Sequence, residues 1–404
     1  MASDRPSADK WMQMQRVQGP VGAPPQARSQ HDMAIPLIQA KRICVIVAHF
    51  AVSGVPLAQI RLASALSARG HAVDLIVGYV PPEYEMPTIE RVNLIVWDEP
   101  RARGMIGSII DYLRNARPDV VFTAEDHLNA IVMISAILAR SNTKISASSR
   151  VTPYDTYSNK PFSKGWLLKQ TMRAVMWRAD VLTCVSQDMV AQYRTIFRNA
   201  RHICIYNIVD TPRARALISE PVEHPWFDDR SLPVLVAAGQ LGPWKGFDYL
   251  IRAVHILSER RPVRLIVLGD GPQRAELETL VTELGVQDSV LLAGYVSNPL
   301  KYFAKADVFV LSSLVEGMPN VLIEAMMAGC TPVSTNCPTG PSEILTDGLN
   351  GYLVEMRDPE GLARGIEQAL DAPIADDVLS EAVRPFQERT VIDQHFKALD
   401  LCAT

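Results

Sequence analysis

Two doubly wound α/β domains in tandem are predicted from the 404-residue chain by three observations. Short β-branched apolar runs alternate with longer amphipathic runs, the pattern of parallel strands joined by helices. The alternation stops once, at the proline- and acid-rich stretch ALISEPVEHPWFDDRS (216–231), and then resumes. Formal charge divides at the same place: residues 41–215 hold 22 Lys/Arg against 14 Asp/Glu, whereas residues 216–404 hold 14 against 27. A basic half joined to an acidic half suggests two domains with different neighbours. The expected organisation is a disordered tail over 1–40, a first Rossmann-like domain over 41–215 and a linker over 216–231. A second such domain follows over 232–382, then a C-terminal helix over 383–404 that packs back toward the first domain.

RICVIVA (42–48) reads as a strand buried on both faces. VPLAQIRLASALSARG (55–70) reads as a helix, with Leu57, Ile60, Leu62, Ala65 and Leu66 as its apolar stripe and Gly70 as its C-terminal cap. AVDLIVG (72–78) is a second strand, and this strand–helix–strand order implies a parallel sheet. VNLIVW, DVVFTA, KISASS, DVLTCVS and ICIYN continue as strands, with HLNAIVMISAILAR, GWLLKQTMRAVMWRA and QDMVAQYRTIF as helices. In the second series PVLVAAG, VRLIVLG, SVLLAG, DVFVLSS, TPVST and GYLV are strands. GFDYLIRAVHILSER, QRAELETLVTELG, NVLIEAMMAG and DPEGLARGIEQALD are its helices. In open parallel sheets ligands bind beyond the carboxyl ends of the strands, so a cleft between two facing sheets is the expected site.

The six cysteines are scattered with no C-x-x-C pair, and the eight histidines form no H-x-x-x-H or H-E-x-x-H pattern. No protein-bound metal, disulfide framework or other cofactor is therefore expected. No strand is followed by G-x-G-x-x-G, which argues against a dehydrogenase. The longest uncharged apolar stretch, Ala130–Ala139, is shorter than the roughly 20 residues a bilayer span needs. The expected location is cytoplasmic, at most peripheral to a membrane, and no nucleic-acid partner is expected.

Four loops carry the candidate chemistry. HFAVSG (49–54) puts Ser53 and Gly54 before a helix N-terminus that could face an anion, but the residues by themselves read first as a tight β–α turn. GQLGPWKGFDYL (239–250) sets Lys245 just ahead of a helix, where its charge adds to the partial positive charge of the N-terminus and suits a pyrophosphate. LGDGPQRAEL (268–277) reads as turn punctuation, with Pro272 at the first helical position. EGMPNVLIEAMMAG (316–329) holds Glu316 before a Gly-x-Pro loop and Glu324 within an apolar helix, with Asn320 as the N-cap. A carboxylate among Leu322, Ile323, Ala325 and Met326 needs hydrogen-bond partners, and a vicinal diol offers two.

EGMPNVLIEAMMAGCTPV resembles the E-x7-E signature of retaining glycosyltransferases of the GT-B fold, family 4. GQLGPWKGFDYLIRA, VLGDGPQRAELE, LLAGYV, CPTGPSEIL and DGLNGYLV follow the same family's order, and the likeness covers about 41–400. The resemblance implies a GT-B architecture and transfer of a hexosyl unit, with retention, from a UDP-linked sugar. The acceptor would be a hydroxyl of a glycan or polyprenyl-linked molecule in bacterial surface polysaccharide assembly. It implies that Glu316 contacts the donor sugar, Lys245 neutralises the pyrophosphate, and Glu324 holds the ribose diol. In the donor-binding loop Gly317–Val321, the backbone N–H groups of Met318, Asn320 (flanked by Pro319) and Val321 would face the sugar or its phosphates, and Tyr295 and Val296 would lie near the base. His127 and the Ser53–Gly54 loop would border the reaction centre, making Glu316, Lys245 and His127 the expected catalytic set. Gln240 stands where the family usually has Arg, so an uncharged donor replaces one cation on the pyrophosphate. A nucleotide-sugar epimerase, a phosphorylase, or a nucleotide-sugar-binding partner protein are the alternative readings. Lys164, Trp166, Lys169, Arg173 and Trp177 form a basic, aromatic helix that suits an anionic membrane surface or the acceptor side. An ordinary surface helix with one apolar face fits the same pattern.

Overall fold

The computed structural model describes residues 40–51, 54–197 and 201–401. They form two compact units: one drawn from 40–51, 54–183, 201–202 and 392–401, the other from 184–197 and 203–391.

The strands of the first sheet are β1 (Arg42–His49), β2 (Ala72–Tyr79), β3 (Val92–Val96), β4 (Val120–Ala124), β5 (Lys144–Ser149), β6 (Val181–Cys184) and β7 (His202–Cys204). Their spatial order is β3-β2-β1-β4-β5-β6-β7. The described pairings are parallel, with Ile43 opposite both Val73 and Val120. Continuous burial is what the apolar runs demand: β1 is buried from Ile43 to Ala48 and β4 along its whole length. Helix Asp126–Ala139 packs against helices Met105–Ala116 and Lys164–Val175. Its Leu128, Val132, Met133 and Ala136 are fully buried, each side chain contributing about 1–3 kcal/mol. Helix Met105–Ala116 has no counterpart in the sequence reading. It starts at Gly104 without a side-chain cap and ends at Arg117, in the left-handed conformation at φ +46°, so neither boundary carries its usual residue.

The last helix, Glu388–Ala398, brings His395 and Phe396 into the first unit. His395 stands edge-on to Phe122 at 5.2 Å and Phe396 lies 5.1 Å from His71, while Arg69 pairs with Asp393 at 2.6 Å.

The second sheet contains β8 (Val234–Ala238), β9 (Arg264–Leu268), β10 (Val290–Gly294), β11 (Val308–Leu311), β12 (Thr331–Thr335) and β13 (Tyr352–Val354). The order is β10-β9-β8-β11-β12-β13, again parallel in the described pairings. Helix Phe247–Arg260 buries Phe247, Leu250, Ile251, Val254 and Leu257, an i, i+3, i+4, i+7 stripe laid on Leu235, Leu265 and Val267. The expected linker stretch 216–231 contains the end of helix Pro212–Ile218 and the single turn Pro225–Asp228.

The carboxyl ends of β8, β9 and β10 are pinned by glycines. Gly239 N–H donates to Leu268 at 2.9 Å and Gly269 N–H to Gly294 at 2.7 Å. At Gly269 (φ +147°) an added Cβ would lie 1.9 Å from the Gly239 carbonyl oxygen. Gly269→Ala is therefore expected to cost roughly 3 kcal/mol or more, because backbone must move. Gly285→Ala, at φ +68° but with nothing within 4 Å of the new Cβ, should cost only about 1–2 kcal/mol. Thermal unfolding of the two variants checks the contrast.

A pH test follows from the buried ring. Burial, with the Arg150 charge adding to it, pushes the His395 imidazole down from 6.5 to about 3. The unfolded chain binds a proton in that interval that the folded unit refuses. The stabilisation is complete above pH 6.5 and is lost as pH falls toward about 3. Urea midpoints should fall from neutral pH toward about pH 4, and His395→Leu should make that fall shallower.

Candidate active site

In the second unit the chain order reverses between the neighbouring strands β8 and β11, the place where open parallel sheets take ligands. The loop after β8 runs through Gly239, exposed Gln240 and fully buried Leu241 to a 3₁₀ turn, Pro243–Lys245. Gly246 (φ +60°) then starts helix Phe247–Arg260. An added Cβ on Gly246 would meet the Ser312 carbonyl oxygen at 2.3 Å, so this loop lies directly on the end of β11. Ser312 Oγ donates to the Lys245 carbonyl at 2.9 Å, and Leu314 N–H donates to the Trp244 carbonyl at 2.8 Å.

These contacts bring Lys245 Nζ to 2.6 Å from Glu316 Oε1, with the side chains 16% and 11% exposed. Ser313 Oγ donates to the same carboxylate oxygen at 2.6 Å. The Glu316 carbonyl accepts from Thr339 Oγ1, and Gly340 (φ +99°) leaves room for Pro319, whose Cδ would lie 2.4 Å from a Cβ there. Removing one member of such a pair leaves a largely desolvated charge behind. The nearby Cys337 thiol is pushed up to about 12 by burial and then by the Glu316 charge, so it stays protonated at neutral pH.

Helix Asn320–Met327 follows the Gly317–Pro319 loop. Its N-cap is Pro319, not Asn320 as the sequence suggested. Asn320 is the first helical residue, and its side-chain oxygen accepts from Asn207 Nδ2 at 3.0 Å instead of capping. Glu324 lies one turn into the helix and is half-buried, while Leu322, Ile323, Ala325 and Met326 around it are buried. Met318 is buried and Val321 half-buried. Tyr295 and Val296 leave the end of β10 half-buried, and burial raises the Tyr295 hydroxyl above its ordinary value. The helix after LGDGP begins at Arg274, so Pro272 precedes it rather than opening it.

Glu343 had no role in the sequence reading. Its carboxylate accepts Gln187 N–H at 2.7 Å and Asp188 N–H at 2.8 Å, neutralising the first turn of helix Gln187–Ile196. The signal was weak, because partners more than 150 positions away leave no spacing to read.

In the first unit the order reverses between β1 and β4. A cavity of about 410 Å³ opens there, lined by His49, Gly54, Gln59, Glu125 and His127 among others. Ser53 lies outside the described residues; Gly54 is the exposed first residue of helix Gly54–Ala68. Glu125 holds a left-handed φ of +76°, a strained choice for a residue with a Cβ. Its carboxylate is 3.7 Å from His127 Nε2, and both side chains are exposed. Gln59 is 1% exposed, and among the described residues neither amide atom has a hydrogen-bond partner. It follows Pro56 and precedes Ala63 on the buried face, and that spacing was the signal available for it.

Helix Lys164–Val175 is capped by Ser163, whose Oγ accepts from Trp166 N–H at 3.2 Å. Lys164 and Arg173 are exposed, Trp166 is half-buried and Trp177 is 70% exposed. Lys169 departs from its expected place on an outer basic face. It is 7% exposed and donates to Asn159 Oδ1 at 2.8 Å, because it shares the inner face with Met172 three residues on.

A family model of glycosyl transferases group 1 matches residues 225–385, and one of glycosyltransferase family 4 matches 52–213; together they span most of the chain. The lipopolysaccharide core biosynthesis glycosyltransferase LpsE of Rhizobium meliloti is 36% identical over 190 residues, 47% of this chain and 52% of that protein. The N-acetylgalactosamine-N,N'-diacetylbacillosaminyl-diphospho-undecaprenol 4-alpha-N-acetylgalactosaminyltransferase of Campylobacter jejuni is 27% identical over 276 residues, 67% of this chain and 71% of that protein. This chain spans about half to two thirds of the length of several curated relatives that it matches. The crystal structure of Anabaena HepE with UDP and glucose superposes with a TM-score of 0.66 at 18% identity, over 90% of this chain and 100% of that one. Two parallel sheets whose order reverses once each, the two family matches and this likeness agree: the chain belongs to the group 1, family 4 glycosyltransferases and has the GT-B fold.

Proposed function

We propose that the protein is a retaining glycosyltransferase that moves a hexosyl unit from a UDP-linked sugar to a hydroxyl of a glycan or lipid-linked acceptor, without a metal. The observation that carries this reading is the Lys245–Glu316 pair at the reversal point of the second sheet, 2.6 Å apart and largely withdrawn from water. A diphosphate is the ligand that such a lysine, set one residue before a helix N-terminus, stabilises best. Donor binding draws the ammonium onto the phosphates and leaves the Glu316 carboxylate, still held by Ser313, to accept from sugar hydroxyls. Glu324 takes the ribose diol, and Tyr295 and Val296 border the base.

In the reaction the bond from the anomeric carbon to the phosphate oxygen breaks and the electron pair leaves with UDP. The acceptor oxygen bonds on the same face, and its proton passes to the departing phosphate. Positive charge fixed before the reaction lowers this barrier. The cavity of the first unit, with Gln59, His49 and His127, is the candidate for the acceptor group. The lipid-linked class is supported by the diphospho-undecaprenol in the name of the Campylobacter relative, and the UDP donor by the ligand of the Anabaena structure. Bacterial surface polysaccharide assembly is the proposed setting.

Lys245→Ala should weaken UDP binding and lower UDP-sugar turnover by about 10³-fold, the scale of a lost charge-stabilising donor. Calorimetry with UDP and UDP-release assays across a set of UDP-sugars measure both. Near wild-type values for Lys245→Ala and Glu316→Ala alike would sink the assignment. Gln240→Arg adds a cation to the same loop and should raise UDP affinity by roughly tenfold, the size of one charged hydrogen bond.

A further inference from the structure

The segment from Lys160 to Arg178 carries five basic residues and no acid. Its outward surface sets large apolar side chains among the cations. Phe162 is 82% exposed, Trp177 70% and Leu167 50%. On helix Lys164–Val175 and the 3₁₀ turn Met176–Arg178, the exposed residues Lys164, Leu167, Ala174 and Trp177 fall at spacings of three and seven, one face of the helix. The opposite face buries Lys169, Met172 and Val175.

Two details separate this face from incidental exposure. Trp177 Nε1 donates to the Ala174 carbonyl at 2.9 Å, so the indole has its polar atom satisfied within its own chain and enters an apolar phase with no unpaired N–H. Phe162 leans on Trp166 at a centroid distance of 5.5 Å, and its backbone sits at φ +61°, a left-handed conformation that bulky aromatics avoid. The turn is thus strained in a way that holds a phenyl ring outward. Exposed Lys160, Lys164 and Arg173 accompany these rings. Cations beside aromatics, with no anion in the segment, complement a surface that is negative above and apolar below. Among the described residues no helix is long and apolar enough to cross a membrane, so contact of this kind lies in the interfacial plane.

We infer that this face of the first unit binds the surface of an anionic lipid bilayer. Phe162, Leu167 and Trp177 enter the acyl boundary, and Lys160, Lys164 and Arg173 lie at the phosphate layer. The inference stands apart from the glycosyl-transfer reading, because it rests on surface chemistry and not on the Lys245–Glu316 site.

Co-sedimentation of the full chain with phosphatidylcholine vesicles, with and without phosphatidylglycerol, tests it. The protein should sediment with the anionic vesicles alone and be released as salt is raised. The pair Phe162→Asn/Trp177→Ser and the pair Lys164→Glu/Arg173→Glu should each lower the bound fraction by about tenfold or more. Asn tolerates the left-handed φ of position 162, so the first pair keeps the turn. Thermal unfolding of both pairs should match the parent, and Leu349→Ser, at an exposed apolar residue of the second unit, should leave binding unchanged. Equal binding to neutral vesicles, or full binding by both double variants, overturns the inference. So does sedimentation velocity showing that the apolar pair abolishes self-association while the parent ignores vesicles, since the face would then meet a second copy.

Discussion

The Gly246 backbone lies so close to the Ser312 carbonyl oxygen that no side chain fits between them. That approach sets the spacing of the loops after β8 and β11, and the rest of the second unit's site depends on it. With the loops in backbone contact, Ser312 Oγ reaches the Lys245 carbonyl and Leu314 reaches the Trp244 carbonyl. The 3₁₀ turn is then held from both sides, and its last residue projects Lys245 onto Glu316. A third loop closes the arrangement, with Thr339 bonded to the Glu316 backbone and Gly340 against Pro319. A lysine held by its own backbone and by a carboxylate loses less freedom on meeting a ligand than a solvated one, which is the basis of preorganisation.

Much of this was legible in the sequence, and the rest was not for definite reasons. Strands buried on both faces leave continuous apolar runs, so β1, β4, β8 and β11 could be read to within a residue or two. Lys245 and Glu316 stood out because they follow such strands and sit beside glycine and proline. Helix Met105–Ala116 was missed because Gly104 and Arg117 flank it and Gly107 and Ser108 interrupt it, although Met105, Ile109 and Leu113 recur every four residues on its buried face. Asn320 looked like a cap because capping is a local rule, whereas its actual partner, Asn207, lies 113 positions away. Lys169 looked exposed because it is charged; the phase of its helix and the Asn159 acceptor place it inside. Gln59 is the converse case, a polar residue that helical spacing alone assigns to the buried face.

The two units differ in how they treat charge. The first carries its excess of cations partly as helix ends and partly as one outward face; the second, acidic overall, keeps Lys245 in a nearly enclosed place. An unpaired lysine there would be costly to desolvate, and an unpaired Glu316 equally so. Pairing removes both costs in the ligand-free protein but also cancels the field that a diphosphate would meet. On the proposed reading the resolution lies in competition. A diphosphate carries more than one negative charge and several acceptor oxygens, so it displaces one carboxylate from the ammonium, while a neutral or singly charged ligand does not. The carboxylate so released has Ser313 on one oxygen and is satisfied fully only by a hydroxyl donor nearby. Selectivity for a molecule that joins diphosphate to sugar then comes from the pair itself: a sugar alone leaves the pair closed, and a diphosphate alone opens it without supplying the hydroxyl that completes the bonding of Glu316.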